Sequence, residues 1–225
     1  MQASGSRRAV TAKLDSAMKY LVLVTTLSHQ IQGVLAFHVL IHADLERLGN
    51  REWKDPKLSY GENKFRMKIL GGLVFSYRRF AAELSLLALA KAFEDTSVEA
   101  RELGCGKFDI WKGDELRLRY HHDMRYIRAL ANTVKHSQSR IIDSNEKNNR
   151  FLIDECGVKP GYEIEHLRLD IPRHVYRVYW FLKQLAAHLA GVRAEPVPKR
   201  ERNGFRQFER LMLPAFLKMR VTSGR

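Results

Sequence analysis

Apolar residues recur at helical spacing through most of this chain, in blocks separated by polar stretches rich in glycine and proline. The first block holds Val24, Leu27, Ile31, Val34, His38, Ile41, Leu45 and Leu48, whose spacing alternates three and four. That rhythm predicts a helix over 15–48 packed lengthwise in a bundle. Between Leu21 and Ile41 there is no Asp, Glu, Lys or Arg, so a membrane span or a signal sequence has to be weighed. Thr25, Thr26, Ser28, His29, Gln30 and Gln32 favour the bundle helix, and no membrane span is expected. His38, inside the stripe, reads as a hydrogen-bonded core histidine. Residues 49–61 read as a loop. A second long helix is predicted over 63–94, with Leu73, Tyr77, Phe80, Leu84 and Leu87 on its core face and Gly71-Gly72 as a point of kinking or close approach. Thr96 to Glu99 fits a capping box opening a short helix that Gly104 closes.

The next block, 114–142, is the most strongly amphipathic. Asp114 is placed to cap it after Gly113, and Glu115 suits a helix N-terminus. At about 100° per residue, Leu116, Tyr120, Met124, Ile127, Leu130, Ala131, Val134, Ile141 and Ile142 share one arc. His121, Arg125, Arg128, Asn132, Lys135, His136 and Ser139 share the opposite one. Beyond it, 143–149 is polar loop, 150–156 a short helix stopped by Gly157, and 162–171 is ambiguous, open to an extended, strand-like piece although its alternation slips between Ile164 and Leu167. Pro172 suits the first turn of a last core helix ending near Ala190, with Val175, Val178, Tyr179, Leu182, Leu185 and Leu189 on its apolar side. The expectation is an all-α bundle of four or five main helices over residues 1–192, with a basic C-terminal extension over 193–225.

Composition adds an anionic partner. The 225 residues suffice for one sizeable core, and they carry a net charge of +14. The extension opens on Glu195-Pro196-Val197-Pro198 and holds nine Lys/Arg against three Glu, with Phe205, Phe208, Met212 and Phe216 at helical spacing around Pro214. Docking onto the bundle or a partner ranks first for it, RNA contact by phosphate pairing and base stacking second; an amphipathic helix on a membrane has the same pattern. Two cysteines, with no CxxC, suit a reducing cytoplasm. No zinc-ligand spacing or glycine-rich phosphate loop is present, so neither metal nor cofactor is expected.

The polar arc of 114–142 is the candidate for chemistry. A charged stripe is by default a solvated face. This one holds no carboxylate, and Arg128, Asn132 and His136 follow at i, i+4 and i+8, so a guanidinium, an amide and an imidazole stand on successive turns. Such a row can hold a phosphodiester and move a proton. The segment Ala131–His136, ANTVKH, resembles the RNxxKH variant of the motif in HEPN proteins (higher eukaryotes and prokaryotes nucleotide-binding). Asn132 matches its polar position, Lys135 its lysine and His136 its histidine; the arginine position is Ala131, a departure. Arg117 with His122, and Arg168 with His174, match the arginine–histidine spacing literally, but their flanking residues do not fit.

The resemblance implies a small all-α bundle and metal-independent ribonuclease chemistry of the toxin–antitoxin or antiphage kind. His136 would be the general acid or base and Asn132 an orienting group. Lys135 would add positive field, and Arg128 would stand in for the missing arginine. Arg125, His121, Ser139 and Arg140 would contact RNA. A homodimer is implied, with an antitoxin or other defence protein as a partner. Glu83 is by default a surface acid, although it is placed to steady a cation across the bundle. The rival reading is a non-catalytic module that binds RNA or an acidic protein through the same stripe.

Overall fold

The computed structural model describes residues 3–49, 54–111 and 116–212. Six helices form an all-α bundle: α1 (Ala3–Gly49), α2 (Tyr60–Glu102), α3 (His121–His136), α4 (Lys147–Arg150), α5 (Ile171–Leu189) and α6 (Glu201–Met212). A π-turn, Phe151–Glu155, continues α4, and a 3-10 turn, Ile164–Leu167, precedes α5. Among the described residues there is no strand, only an isolated antiparallel bridge between Arg140 and Glu163.

α1 and α2 form an antiparallel hairpin. Thr26 donates to Glu99 at 3.2 Å and Gln30 to Asp95 at 2.8 Å, which fixes their register. α5 packs on both, and α3 packs on α2 and α5. The core lies where all four meet. Leu27, Ile31 and Leu35 come from α1, and Leu86, Leu89 and Phe93 from α2; Met124, Ile127 and Leu130 face them from α3, and Phe181, Leu182 and Leu185 from α5. α1 has the length and composition to cross a membrane, as its sequence suggested, yet its stripe residues Leu27, Ile31, Val34 and Leu45 are buried inside the protein.

Several elements differ from the sequence expectation. α3 is shorter than 114–142. Tyr120, just before it, has φ 66° and Arg117 has φ 46°, left-handed values that a right-handed helix cannot pass through. Gln138 at φ 49° and Ser139 at φ 64° end it on the other side. Ile141 becomes buried by pairing with the segment before α5 instead: its amide donates to Tyr162 at 2.8 Å and its carbonyl accepts from Gly161 at 2.7 Å. Gly113, Asp114 and Glu115, the expected start, lie outside the described residues. α2 is one helix through Gly71-Gly72 and through Thr96. Thr96 is buried, and its hydroxyl donates to the Ala92 carbonyl one turn back instead of capping a new helix. Gly104, at φ 71°, does close it, with Cys105 N–H bonding to Ala100 O at 2.8 Å and Gly104 N–H to Arg101 O at 3.0 Å. The core face of α2 is Ala81, Ser85, Leu86, Leu89 and Phe93, while Leu73, Tyr77 and Phe80 point to solvent. The stretch 162–171 holds the 3-10 turn, not a strand.

Of the readings open for the extension, docking is what is observed as far as Met212; Pro214 and Phe216 lie outside the described residues. Phe208 and Met212 enter the main core, and the Tyr176 ring meets Phe205 and Phe208 at centroid distances of 5.9 and 5.5 Å. Glu201 accepts from Arg173 at 2.7 Å and from Arg177 at 2.9 Å. Gly204 lies so close to α5 that an added Cβ would run into the Tyr176 hydroxyl and the Pro198 ring. Gly204→Ala is therefore expected to lower stability by about 1–3 kcal/mol, the usual cost of overpacking, read as a lower urea midpoint with an unchanged m-value.

Candidate functional site

α3 is held rigidly by its apolar side, so the polar row is presented in fixed order along one helix. Its members have separate fates. Asn132 is half-buried and His136 exposed, and neither has a hydrogen-bond partner among the described residues. Arg128 is half-buried, with its guanidinium 5.3 Å from the Phe93 ring centre and no carboxylate paired to it among the described residues. Lys135 is exposed, with Glu94 at 3.9 Å. Arg128 and Lys135 lie against α2, at Phe93 and Glu94.

The residues expected to hold RNA divide differently. His121 is 7% exposed, with Nε2 2.6 Å from the Ile110 carbonyl and its ring against Phe108 and Phe181; it belongs to the core and not to the stripe. Arg125 is sandwiched with Trp111 and Phe151, and it donates to Glu155 at 2.9 Å. Ser139 is buried, and its hydroxyl donates to Glu83 at 2.5 Å. Arg140 lies beyond the helix, exposed, with its backbone in the bridge to Glu163. Ser139 and Arg140 therefore do not continue the helical row. Glu83 is no surface acid: half-buried, it joins Ser139 to Arg79, whose Nε donates to it at 3.0 Å. The motif's arginine position, Ala131, is 0% exposed.

A second polar cluster adjoins this one through Arg79, which donates to Glu83 and lines a cavity. A cavity of about 360 Å³ opens between α1, α2 and the segment leading into α5. His38, His42, Arg78, Arg79, Glu165 and Arg168 line it together with Leu45, Phe75 and Ile171. The His38 and His42 rings lie 4.3 Å apart. His38 Nδ1 and Glu165 Oε2 are buried without a hydrogen bond. Burial, helped by the neighbouring His42, holds His38 down to about 4, with Asp170 opposing. His38 is thus a half-buried histidine in a cavity wall and not a hydrogen-bonded core residue. The only sign of this site in the sequence is the i, i+4 spacing of the two histidines.

Among the described residues, no three His, Cys, Asp or Glu side chains converge as metal ligands would. Comparison of the chain with family models, curated proteins and solved structures finds no match.

His38 gives the protein a pH dependence of known sign. Its ordinary value is 6.5 and its folded value about 4, so the unfolded chain takes up this proton first. The associated stability is complete above about pH 6.5 and is lost as pH falls toward 4. His38→Gln should shrink the drop in urea stability between pH 7 and 4.5 by roughly 1–2 kcal/mol, allowing for partial exposure. An equal drop in the two proteins would contradict this.

Proposed function

We propose that the protein acts on RNA through the α3 row, as a HEPN-like endoribonuclease. One observation carries the reading. On a helix where His121, Asp123, Arg125 and Thr133 are bonded within the protein, the side chains of Asn132 and His136 stay without protein partners among the described residues and Arg128 stays without a carboxylate. The reaction is attack of a ribose 2′-hydroxyl on the adjacent phosphorus. The P–O2′ bond forms and the P–O5′ bond breaks, leaving a 2′,3′-cyclic phosphate and a 5′-hydroxyl. His136 takes the proton from the 2′-oxygen or delivers one to the leaving 5′-oxygen, a role that suits an imidazole. Asn132 orients the imidazole or the phosphate, Lys135 adds positive field, and Arg128 offsets charge on the phosphorane.

Arg128 lies about 12 Å along the axis from His136 and about 80° round from it, too far apart to grip one phosphate together. A second copy facing the first would bring Arg128 of one chain toward His136 of the other, so a homodimer is part of this reading. The burial of Ala131 favours a second reading, in which α3 binds RNA without cutting it, because no cation stands at the motif's arginine position.

Incubation with total RNA in EDTA separates the two. Cleavage should leave cyclic-phosphate ends, vanish in His136→Ala, and fall about 10²-fold or more in Arg128→Ala with RNA binding only modestly weaker. Intact RNA with measurable binding would select the second reading. Absence of both would end the RNA assignment.

A further inference from the structure

The first turns of α2, Tyr60 to Phe80, are largely exposed and meet the rest of the protein at the cavity that Phe75, Arg78 and Arg79 line. Phe65, Ile69, Leu73, Tyr77 and Phe80 fall within about 120° of one another on the helix and are between 44% and 66% exposed. They form a stripe about 22 Å long. Arg66 falls within it and is drawn to Asp55 at 3.5 Å. The segment carries Lys64, Arg66, Lys68, Arg78 and Arg79 against one acid, Glu62, which is occupied in capping the helix with Ser59. Arg79 is paired with Glu83, Glu163 and Glu165, whereas Lys64, Lys68 and Arg78 are exposed with no ion pair among the described residues.

An exposed apolar stripe of this size marks an interaction surface, and its charge selects the occupant. A second copy is disfavoured. It brings the same uncompensated cations, Lys64, Lys68 and Arg78, and no free carboxylate to meet them, since Glu62 is taken up by Ser59. A single partner helix would cover only a narrow seam, yet Met67 and Phe75 are also exposed, on other sides of the helix. A lipid surface needs no register, accepts apolar side chains in any order, and supplies phosphates for the cations. The adjoining cavity extends the same chemistry. Arg78 and Arg168, both exposed, stand in its lining beside the apolar side chains of Leu45 and Phe75, and neither has an ion pair among the described residues.

We propose that this face of α2 docks on an anionic lipid surface, with the stripe entering the boundary between headgroups and acyl chains and the basic side chains meeting lipid phosphates. The test is sedimentation of the full chain with vesicles of phosphatidylcholine, with and without phosphatidylglycerol. Binding to the anionic vesicles is expected, weaker by at least about tenfold without phosphatidylglycerol or in about 0.5 M salt. Ile69→Gln/Leu73→Gln leaves the net charge unchanged and touches only exposed positions, so helix content by circular dichroism should be kept while binding is lost. Three outcomes would overturn the proposal. One is a wild type that stays in solution with both vesicles. Another is a double variant that binds as well as the wild type, which reduces the effect to net charge alone. The third is a chain that ignores vesicles while the double substitution turns a dimer into a monomer, which gives the face to a second copy.

Discussion

A four-helix core exists only over the length that its shortest members supply. α3 has 16 residues and α5 has 19, about 24 and 28 Å of helix. α1 and α2, at 47 and 43 residues, run to about 70 and 64 Å. Their register, set by the Gln30–Asp95 and Thr26–Glu99 bonds, brings the later half of α2 against α3 and α5 and leaves most of its earlier half exposed. The location of the core, the bare stripe on α2 and the cavity beside it all follow from that mismatch. The α3 row, by contrast, lies within the closed part and is backed by packed side chains.

Electrostatics fasten the short helices to each other. Arg177 on α5 donates to Asp123 on α3 and to Glu201 on α6. Burial opposes its charge, but the hydrogen bonds to Glu201 and Asp123 more than offset this and push its pKa above the ordinary value. Hydrogen bonds from Arg173 and Arg177 hold Glu201 down to about 2. Breaking one partner of such a cluster leaves the others partly buried and uncompensated. The basic extension is tied to the bundle through two of its three acids, Glu201 and Glu195, the latter accepting from Lys183 at 2.6 Å, so its charge is not simply a free arm.

The helical class was legible because the apolar rhythm of α1 and α5 matches their buried sides: Leu27, Ile31 and Val34 in one, Val175, Val178, Leu182 and Leu185 in the other. The ends of α3 were not. Arg117, Tyr120, Gln138 and Ser139 are ordinary residues in left-handed backbone, placed there by tertiary pairing such as that of Ile141 with Gly161 and Tyr162 and without a glycine to signal it. The face of α2 was misread because its first half is apolar round much of its circumference, and only the extent of the neighbouring helices decides which side is covered. Within the candidate site, the accessibility of Asn132 and His136 was readable from periodicity. The burial of His121 depends on the carbonyl of Ile110, eleven residues back, and the cavity depends on segments more than a hundred residues apart; neither is a property of a local pattern.

Ala131 has a consequence for how this chain can change. Its methyl group is fully buried, and burying an unpaired guanidinium is among the costliest single changes a protein can undergo. The RNxxKH pattern therefore cannot be completed here by a single substitution on the present backbone. A further cation beside Asn132 and His136 has to come from another turn of α3 or from another chain, and mutational searches confined to residue 131 run into a steep barrier.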